Sequence, residues 1–410
     1  MVTKYERMVR VQSSFTPHAP IDDLEHFSIR PDQVQECLRA LIQRGLHIGL
    51  YGERGVGKTS LAKVLPDLLL KLNHPTVSAT RIDCSTLETF ASIWRAAFRD
   101  LGIEAPEVDR PDFGPQDVRF HLEKDKRKLL VVIDELDRME GDSPNVGDSD
   151  VARTLLADTI KTLSNSAANT TIMLVGVADT LDLLLGEHLS VVRSIVQVRM
   201  VRMDRDEAAN IIEAGYRRAG LTIEPDAKNR ILVLAEGLPH FVHLIALHAG
   251  ELTVQNDDFV VTLECVNRSL DSALLKHYLV AEYDAATKSP QKANLYEKVL
   301  LACAYANRDQ LGYFRPNDVV EPLKIILDRD VEHATFQQHL HELSGKRSQT
   351  LKRDGTERKY RFRFQNPLLQ SFTKIRAISG GLINDEQRQK LEALTDYPAP
   401  DPSGFGPLFG

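Results

Sequence analysis

The hydrophobic residues in the first half of the chain fall into five short runs that are separated by longer amphipathic stretches. The runs are HIGLY (47–51), TRIDC (80–84), KLLVVID (128–134), TIMLVGV (171–177) and VQVRM (196–200). Short apolar runs that alternate with helices are typical of a parallel sheet buried on both faces. The pattern predicts an α/β core with five parallel strands over about residues 20–203 and a first helix over 31–44. Residues 1–30 show no regular period and are predicted to be irregular.

Beyond residue 203 the apolar positions change to a helical spacing, which predicts a helical lid over 204–283 after a core domain at 1–203. A polar stretch at 282–293 is the best linker candidate. Three predicted helices and two short strands around Asp354-Gly355 follow, in the order of elements of a winged helix, over 290–380. The remaining residues, 381–410, end in a segment rich in proline and glycine and are predicted to be a flexible tail.

The composition is that of a globular protein. The 410 residues are 42% hydrophobic and 27% charged, which allows two or three domains. The net charge of −7 excludes a generally basic molecule, so any surface that binds nucleic acid is local. The four cysteines are widely spaced and indicate neither disulfides nor a zinc site. We find no signal peptide and no apolar run of membrane-spanning length, so we expect no membrane partner and a cytoplasmic location.

The segment GERGVGKT (52–59) matches the pattern G-x-x-x-x-G-K-[ST] between a predicted strand and a predicted helix. Glycines allow successive backbone N–H groups to surround one anion, and the helix adds the positive end of its dipole. The lysine is placed for the β- and γ-phosphates and the threonine hydroxyl for Mg²⁺. A glycine-rich turn without a ligand is the alternative. The predicted phosphate-binding residues are Gly52, Glu53, Arg54, Gly55, Val56, Gly57, Lys58, Thr59 and Ser60.

A second motif, LLVVIDELDRM (129–139), places two acids at the end of an apolar strand. Ligand sites in α/β proteins form at the carboxyl ends of the strands. Asp134 is predicted to hold Mg²⁺ through water, and Glu135 to act as the base that activates water. The alternative is a strand end that is capped by solvated acids. Together the two motifs predict ATP, ADP and Mg²⁺ as ligands and the hydrolysis of ATP to ADP and phosphate.

The segments YGERGVGKTSLA, VVIDELDRM, LVGVADTLDLL and GLP resemble those of AAA+ ATPases, specifically the origin-recognition/initiator-like and STAND-like clades. The resemblance covers about residues 20–280 and implies a P-loop ATPase core, a helical lid and a winged helix. It also implies that Asp179 occupies the sensor-1 position, where these clades usually carry asparagine. An ionised aspartate cannot donate a hydrogen bond, so Asp179 acts through Mg²⁺ or water, or only caps a helix.

The same resemblance implies further roles around the nucleotide. Arg193 lies just before the fifth strand, where related ATPases place an arginine finger that acts on a neighbouring subunit, so the active form would be a homo-oligomer. A solvated surface arginine is the alternative. Pro239 would lie near the adenine, or would simply be a proline in the first turn of a helix. His240 falls where initiators often carry the sensor-2 arginine, and Ile29 would line the other side of the base.

Residues 346–376 contain ten basic residues and two acidic ones. In the predicted second strand, Phe362 and Phe364 alternate with arginines, so the phenylalanines are predicted to face a core and the arginines to face outwards. The arginines could bind DNA phosphates or a protein surface, and the sequence leaves both open. The residues assigned to this nucleic-acid or partner surface are Lys346, Arg347, Lys352, Arg353, Arg358, Lys359, Arg361 and Arg363.

The resemblance implies three functions that the sequence does not separate. The first is an initiator-like ATPase that couples its nucleotide state to oligomeric assembly and to DNA binding through the winged helix. The second is a STAND-like switch that recruits a separate effector protein, for example in phage defence, without binding DNA. The third is a loader or transposition-type regulator of the same superfamily.

Overall fold

The computed structural model describes residues 3–21, 24, 27, 30–72, 76–139, 146–177, 193–275, 278–289, 295–309, 312–345, 347–356 and 359–394. Contacts along the chain divide it into two compact units. We call residues 19–201 the sheet unit, and residues 1–18 together with 202–410 the helical unit. The first 18 residues therefore group with the helical unit, whereas the sequence places them in the core domain at 1–203.

The helices and strands have the following bounds. The helices are α1 (Lys4–Ser14), α2 (Pro31–Ile42), α3 (Lys58–Lys71), α4 (Phe90–Leu101), α5 (Pro115–Lys124), α6 (Val146–Ser164), α7 (Arg205–Ala219), α8 (Pro225–Ala235), α9 (Pro239–Gln255), α10 (Leu263–Leu275), α11 (Leu279–Thr287), α12 (Leu295–Tyr305), α13 (Pro316–Leu327), α14 (His333–Leu343), α15 (Pro367–Ser379) and α16 (Asp385–Leu394). The strands are β1 (His47–Gly52), β2 (Val77–Asp83), β3 (Lys128–Asp134), β4 (Thr170–Val177), β5 (Ile195–Arg199), β6 (Thr222–Ile223), β7 (Val260–Val261), β8 (Leu351–Asp354) and β9 (Arg361–Phe364).

Strands β1 to β5 form one sheet in the order β2-β3-β4-β1-β5. Every neighbouring pair in this sheet is parallel. The predicted five-stranded parallel sheet is confirmed. Strand β2 lies at one edge of the sheet, next to β3, and β4 lies between β1 and β3. The carboxyl ends of β1 and β3 therefore open at the same side of the sheet, with one strand between them.

The core beside this sheet is built largely from the apolar face of α4. Phe90, Trp94 and Phe98 recur at helical spacing along this face and are all buried. Thr89 caps the helix by accepting a hydrogen bond from the backbone of Ser92 at 3.1 Å. Burying each of these aromatic side chains contributes on the order of 2–3 kcal/mol.

The helical unit contains the predicted lid helices and, after them, the predicted three helices and hairpin. Helices α7 to α10 occupy the region that is predicted to be a lid, and the two-residue strands β6 and β7 there pair in parallel. The hairpin β8–β9 is antiparallel, with Leu351 opposite Phe364. Phe314 bridges to Phe362 from the segment before α13. Within the described ranges, no helix combines the length and apolar character needed to cross a bilayer.

The prediction of irregular chain over residues 1–30 is wrong for Lys4–Ser14, which form α1. Thr3 and Glu6 form a capping box at its start. Val11 and Phe15 are buried. Helix α1 packs against α7 and α9, where glycines leave room for these side chains. A Cβ atom on Gly215 would lie 2.3 Å from the Phe15 ring. Because α1 is short and has few apolar residues, it gives little periodic signal in the sequence. Its stability depends instead on packing against distant segments of the chain.

The predictions for the linker and the tail also need correction. The polar stretch at 282–293 begins inside α11, and the predicted flexible tail at 381–410 contains α16. Leu391 of α16 is fully buried. Glu392 forms an ion pair of 2.7 Å with Arg230 of α8. The prolines and glycines that suggested a flexible tail lie beyond α16, in residues 395–410, which are outside the described residues.

A candidate phosphate and magnesium site

The glycine-rich loop joins the end of β1 to the start of α3. Gly55 and Gly57 have positive φ angles of 88° and 98°. Gly57 directly precedes α3 in the left-handed conformation. Residues with a Cβ atom rarely adopt this conformation, so the loop requires glycine at both positions. The loop thereby delivers the free backbone N–H groups at the start of α3, where an anion is stabilised by the helix dipole.

Gly52 allows the end of β1 to approach the segment after β5. A Cβ atom at Gly52 would lie 2.1 Å from the carbonyl oxygen of Met200. The amide of Met200 also donates a hydrogen bond of 2.7 Å to the carbonyl oxygen of Tyr51. The first glycine of the motif therefore allows close packing of the backbone at this point.

Lys58 is only 8% exposed and lies against the loop. Its Nζ atom donates hydrogen bonds to the carbonyl oxygens of Gly52 at 3.0 Å and Glu53 at 2.8 Å. Burial lowers the pKa of Lys58 to about 8, and the carboxylates of Asp137 and Asp134 oppose this shift. A phosphate group in the loop would stabilise this desolvated ammonium group.

Thr59 and Asp134 bring two oxygen donors together from different elements. The Thr59 hydroxyl donates a hydrogen bond to Asp134 Oδ2 at 2.9 Å. Asp134 is 2% exposed at the end of β3. Burial raises the pKa of Asp134, while the hydrogen bonds from Thr59 and from the amide of Glu135 lower it. The carboxylate is therefore desolvated, but it is oriented by donors on both of its oxygens.

Glu135 has an unusual backbone conformation, with a φ angle of 56°. A left-handed conformation costs a residue other than glycine about 1–3 kcal/mol, and such strain concentrates at functional sites. The amide of Glu135 donates to Asp134 Oδ1 at 2.8 Å. Its carboxylate accepts a hydrogen bond of 2.6 Å from Arg138, and both side chains of this pair are exposed. The turn Leu136–Met139 follows directly, and Glu135 is the neighbour of Asp134 at the end of β3.

Two residues at this site did not emerge from the sequence. Arg81 of β2 lies with Nε 3.6 Å from Asp134 Oδ2 and also bonds Asp83. Asp137 accepts a hydrogen bond of 2.7 Å from the amide of Val177 at the end of β4. The signals that could have indicated them are the third acid of the DELD segment, which follows the end of β3, and the arginine in TRIDC, which lies near the end of β2.

The other residues predicted for the sheet unit differ in their placement. Arg54 is exposed on the loop. The Ser60 hydroxyl accepts a hydrogen bond of 3.1 Å from the amide of Ile21. Arg193 is exposed in the short turn before β5. Asp179 and Ile29 lie outside the described residues.

Pro239 and His240 belong to the helical unit. Pro239 is the first residue of α9, a position that suits proline because its nitrogen needs no partner there. His240 Nδ1 lies 2.8 Å from the carbonyl oxygen of Pro17. Burial lowers the pKa of His240, and the contact with Pro17 opposes this shift.

Two of the predicted surface arginines make extensive contacts within the protein. Arg347 donates from Nε to the carbonyl oxygen of Ala286 at 2.8 Å, and its guanidinium lies 3.8 Å from the Tyr296 ring centroid. Arg361 pairs with Asp354 at 2.6 Å. The two arginines are therefore held by other residues of the helical unit.

The exposed part of the basic surface is on and beside β8. Lys352, Arg353 and Lys359 are exposed, and Arg363 is half-buried. As predicted, the two phenylalanines of β9 are buried, because alternate residues of a strand face opposite sides. Lys346 and Arg358 lie outside the described residues.

A family model described as an AAA domain matches residues 39–184. This segment is therefore similar to AAA domains. The match spans β1 to β4, so it includes the phosphate loop, Asp134 and Glu135. No curated protein matches the chain.

Solved structures share the fold over most of the chain. The Walker-type ATPase of Pyrococcus abyssi is 17% identical with a TM-score of 0.51, and the match covers 87% of this chain and 99% of that one. The ORC2 protein of Aeropyrum pernix is 15% identical with a TM-score of 0.51, over 93% of this chain and 98% of that one. The chain therefore shares its fold with these two proteins over most of its length.

Proposed function

We propose that this protein binds ATP with Mg²⁺, hydrolyses it to ADP and phosphate, and couples its nucleotide state to oligomeric assembly and to DNA binding. The hydrogen bond of 2.9 Å between Thr59 and Asp134, beside the buried Lys58, is the observation that carries the proposal. The Aeropyrum pernix protein that shares the fold was solved as ADPNP–ADP complexes.

The residues at the site fit Mg²⁺ and a triphosphate. Mg²⁺ prefers oxygen ligands and usually keeps several waters while one or two protein groups and phosphate oxygens complete its shell. The Thr59 hydroxyl would be such a group, and the Asp134 carboxylate would hold one of the waters. When bound, the ion would neutralise charge on the β- and γ-phosphates.

The loop and Lys58 would bind the phosphates. Lys58 would exchange its contacts with the Gly52 and Glu53 carbonyl oxygens for phosphate oxygens, which carry more negative charge. The N–H groups at the start of α3 would contact the same phosphates. Binding thus uses a cation that the fold has already removed from water.

Glu135 would act as the general base. Its carboxylate would take a proton from a water molecule as the water oxygen attacks the γ-phosphorus, and the bond to the ADP oxygen would break. Glu135 must leave Arg138 to do so. An exposed ion pair contributes only about 0–1 kcal/mol, so this step costs little.

The remaining site residues are proposed on the resemblance to AAA+ ATPases. Arg193, which is exposed, would stabilise charge on the nucleotide of a neighbouring subunit in a homo-oligomer. Asp179 would act through Mg²⁺ or water. Pro239, His240 and Ile29 would lie on the adenine side.

The C-terminal helices and hairpin would act as a winged helix that binds DNA. Lys352, Arg353 and Lys359 are exposed at the hairpin and suit contacts with phosphates. Because the whole chain carries a net charge of −7, such contacts must be confined to a local surface.

Binding and turnover of ATP by three variants test the proposal. Lys58→Ala should lose nucleotide binding, whereas Lys71→Ala, a lysine at the opposite end of α3, should retain it. Glu135→Gln should bind ATP and release phosphate on the order of 10²- to 10⁴-fold more slowly. Fluorescent ATP and a phosphate-release assay, with and without duplex DNA, measure both properties. Normal hydrolysis by Lys58→Ala would refute the proposal.

A further inference from the structure

The helical unit contains a buried cluster of opposite charges that plays no part in the proposed phosphate chemistry. Its centre is Glu236, which follows α8 and whose side chain is 12% exposed. The Glu236 carboxylate lies 2.6 Å from Lys374 Nζ, 3.4 Å from a nitrogen of Arg308 and 3.8 Å from a nitrogen of Arg202. One carboxylate thus contacts three cations.

Neutral groups complete the environment of this carboxylate. The Ser371 hydroxyl donates to Glu236 Oε2 at 2.8 Å, and the Gln370 amide lies 3.5 Å from Oε1. Lys374 is 4% exposed, and its ammonium group lies 4.2 Å from the Tyr305 ring centroid. Burial acts to raise the pKa of Glu236, but Lys374 and the two arginines hold it at about 2. The carboxylate is therefore ionised because its cationic partners are in place.

The partners of Glu236 come from distant parts of the chain. Arg202 precedes α7, Arg308 follows α12, and Lys374 with Ser371 is on α15. Removing one member of a buried ion pair leaves the other charge desolvated without compensation, which is strongly destabilising. The cluster therefore favours a state in which the three segments remain together.

The backbone next to Glu236 is fixed as tightly as its side chain. Glu236 and Gly237 have φ angles of 49° and 72°. The amide of Met203 donates to the carbonyl oxygen of Gly237 at 2.8 Å. A Cβ atom at Gly237 would lie 2.3 Å from the Met203 carbonyl oxygen. The turn that leads into Pro239 therefore cannot move independently of the segment at 202–203.

We propose that Glu236 is an ionic joint that makes the turn at 236–239 and the C-terminal helices α12 and α15 one moving part. The ion pairs join the turn to α15 and to the segment after α12, and the Gly237 contact joins it to the chain before α7. If ATP binding displaces this turn, the C-terminal helices would move with it. ATP would then change the affinity of a partner for those helices, and the partner would change the affinity for ATP by the same factor. This last step rests on the proposed function; the joint itself does not.

The joint is tested first without nucleotide, by amide hydrogen exchange on full-length Glu236→Gln, Lys374→Met and the double variant. Glu236→Gln should accelerate exchange in α15 and at the end of α12 by on the order of tenfold or more, because Lys374 stays buried without its carboxylate. The double variant should recover part of this protection, since both partners are replaced. Equal protection in Glu236→Gln and wild type would overturn the joint.

A matched control separates this joint from ion pairs in general. Lys228 pairs with Glu213 in the same unit at the same distance of 2.6 Å, but the two side chains are 32% and 42% exposed. Lys228→Met should therefore leave exchange in α15 unchanged. If Glu236→Gln alone fails to fold, recovery of a folded double variant supports the joint, and no recovery overturns it.

The second arm adds ATP. Wild type should show altered exchange in α15 on binding ATP, and the folded double variant should bind ATP but lose that change. The same change in the double variant, or none in wild type that binds ATP, overturns transmission through Glu236. Failure of wild type to bind ATP refutes the proposed function instead, and the first arm still judges the joint.

Discussion

Thr59 and Asp134, separated by 75 positions in the chain, are joined by a hydrogen bond of 2.9 Å from hydroxyl to carboxylate. The bond connects the first turn of α3 to the last residue of β3. It brings together the two groups that are proposed to hold Mg²⁺, Thr59 directly and Asp134 through water.

Thr59→Val keeps the shape of the side chain and removes its hydroxyl. We expect the Mg²⁺ concentration needed for half-maximal nucleotide binding to rise about 10- to 100-fold, because a contact with charged groups is lost. A Mg²⁺ titration of fluorescent ADP binding measures this change. Thr59→Ser retains the hydroxyl and is the control. An unchanged Mg²⁺ requirement in Thr59→Val would exclude Thr59 as a ligand.

Gly237 and Gly220 allow a paired test of the turn before α9. Their φ angles are 72° and 73°, but a Cβ atom at Gly220 would meet no atom within 4 Å. Gly220→Ala should cost about 1 kcal/mol of folding free energy from the left-handed conformation alone. Gly237→Ala should cost about 1–3 kcal/mol more, because its new methyl group overlaps Met203.

Far-UV circular dichroism during urea unfolding measures both glycine variants. Trp94 is the single tryptophan and lies in the sheet unit, so its fluorescence transition is an internal reference that should not move. Equal destabilisation by the two alanines would show that the contact with Met203 is unimportant.

His47 predicts a specific loss of stability in acid. It is fully buried in β1, and its Nδ1 accepts a hydrogen bond of 3.0 Å from the amide of Ile172. Burial, with a smaller effect of Lys128, lowers the pKa of His47 to about 3. Below about pH 6.5 the unfolded chain binds a proton there that the folded chain does not, so stability is lost as the pH falls from 6.5 towards 3.

His47→Asn should remove this dependence, because the asparagine oxygen can accept the same hydrogen bond and does not titrate. Between pH 6.5 and 5, the sheet unit of wild type should lose about 2 kcal/mol more stability than that of the variant. Urea unfolding followed by Trp94 fluorescence gives the difference. His333→Asn, at an exposed histidine, should behave like wild type. Parallel pH profiles for wild type and His47→Asn would contradict the prediction.

The exposed lysines of the hairpin should control the salt dependence of DNA binding. Changing Lys352 and Lys359 to glutamine should reduce the slope of log affinity against log salt by about 2, or roughly 0.9 for each lost phosphate contact. Fluorescence anisotropy with a labelled duplex measures the slope. Lys390→Gln, on α16, is the control. An unchanged slope would favour a protein partner for this surface.

The parts of the structure that could be predicted from the sequence are those with local signals. The phosphate loop requires glycine, lysine and threonine at fixed spacing, and Asp134 ends a continuous apolar strand. Strand β2 also follows from its apolar run. These features depend on residues that are neighbours in the chain or on a short period, so the five strands and the main residues of the candidate site could be identified from them.

Features that depend on distant partners could not be predicted in the same way. Helix α16 depends on the burial of Leu391, and Glu236 is surrounded by cations from three other segments. Lys374 belongs by composition to the basic stretch at 346–376, yet it is buried at Glu236. A count of charges cannot distinguish an exposed lysine from one whose partner lies more than a hundred residues away.

Helix α1 has a consequence for how the protein folds on the ribosome. It is translated before the sheet unit, but its packing partners α7 and α9 are translated only after that unit. The sheet unit can therefore fold in the interval, while Val11 and Phe15 remain accessible to solvent or to chaperones. Nascent chains stalled before α9 should bind chaperones through this segment and release them once α9 has emerged from the ribosome.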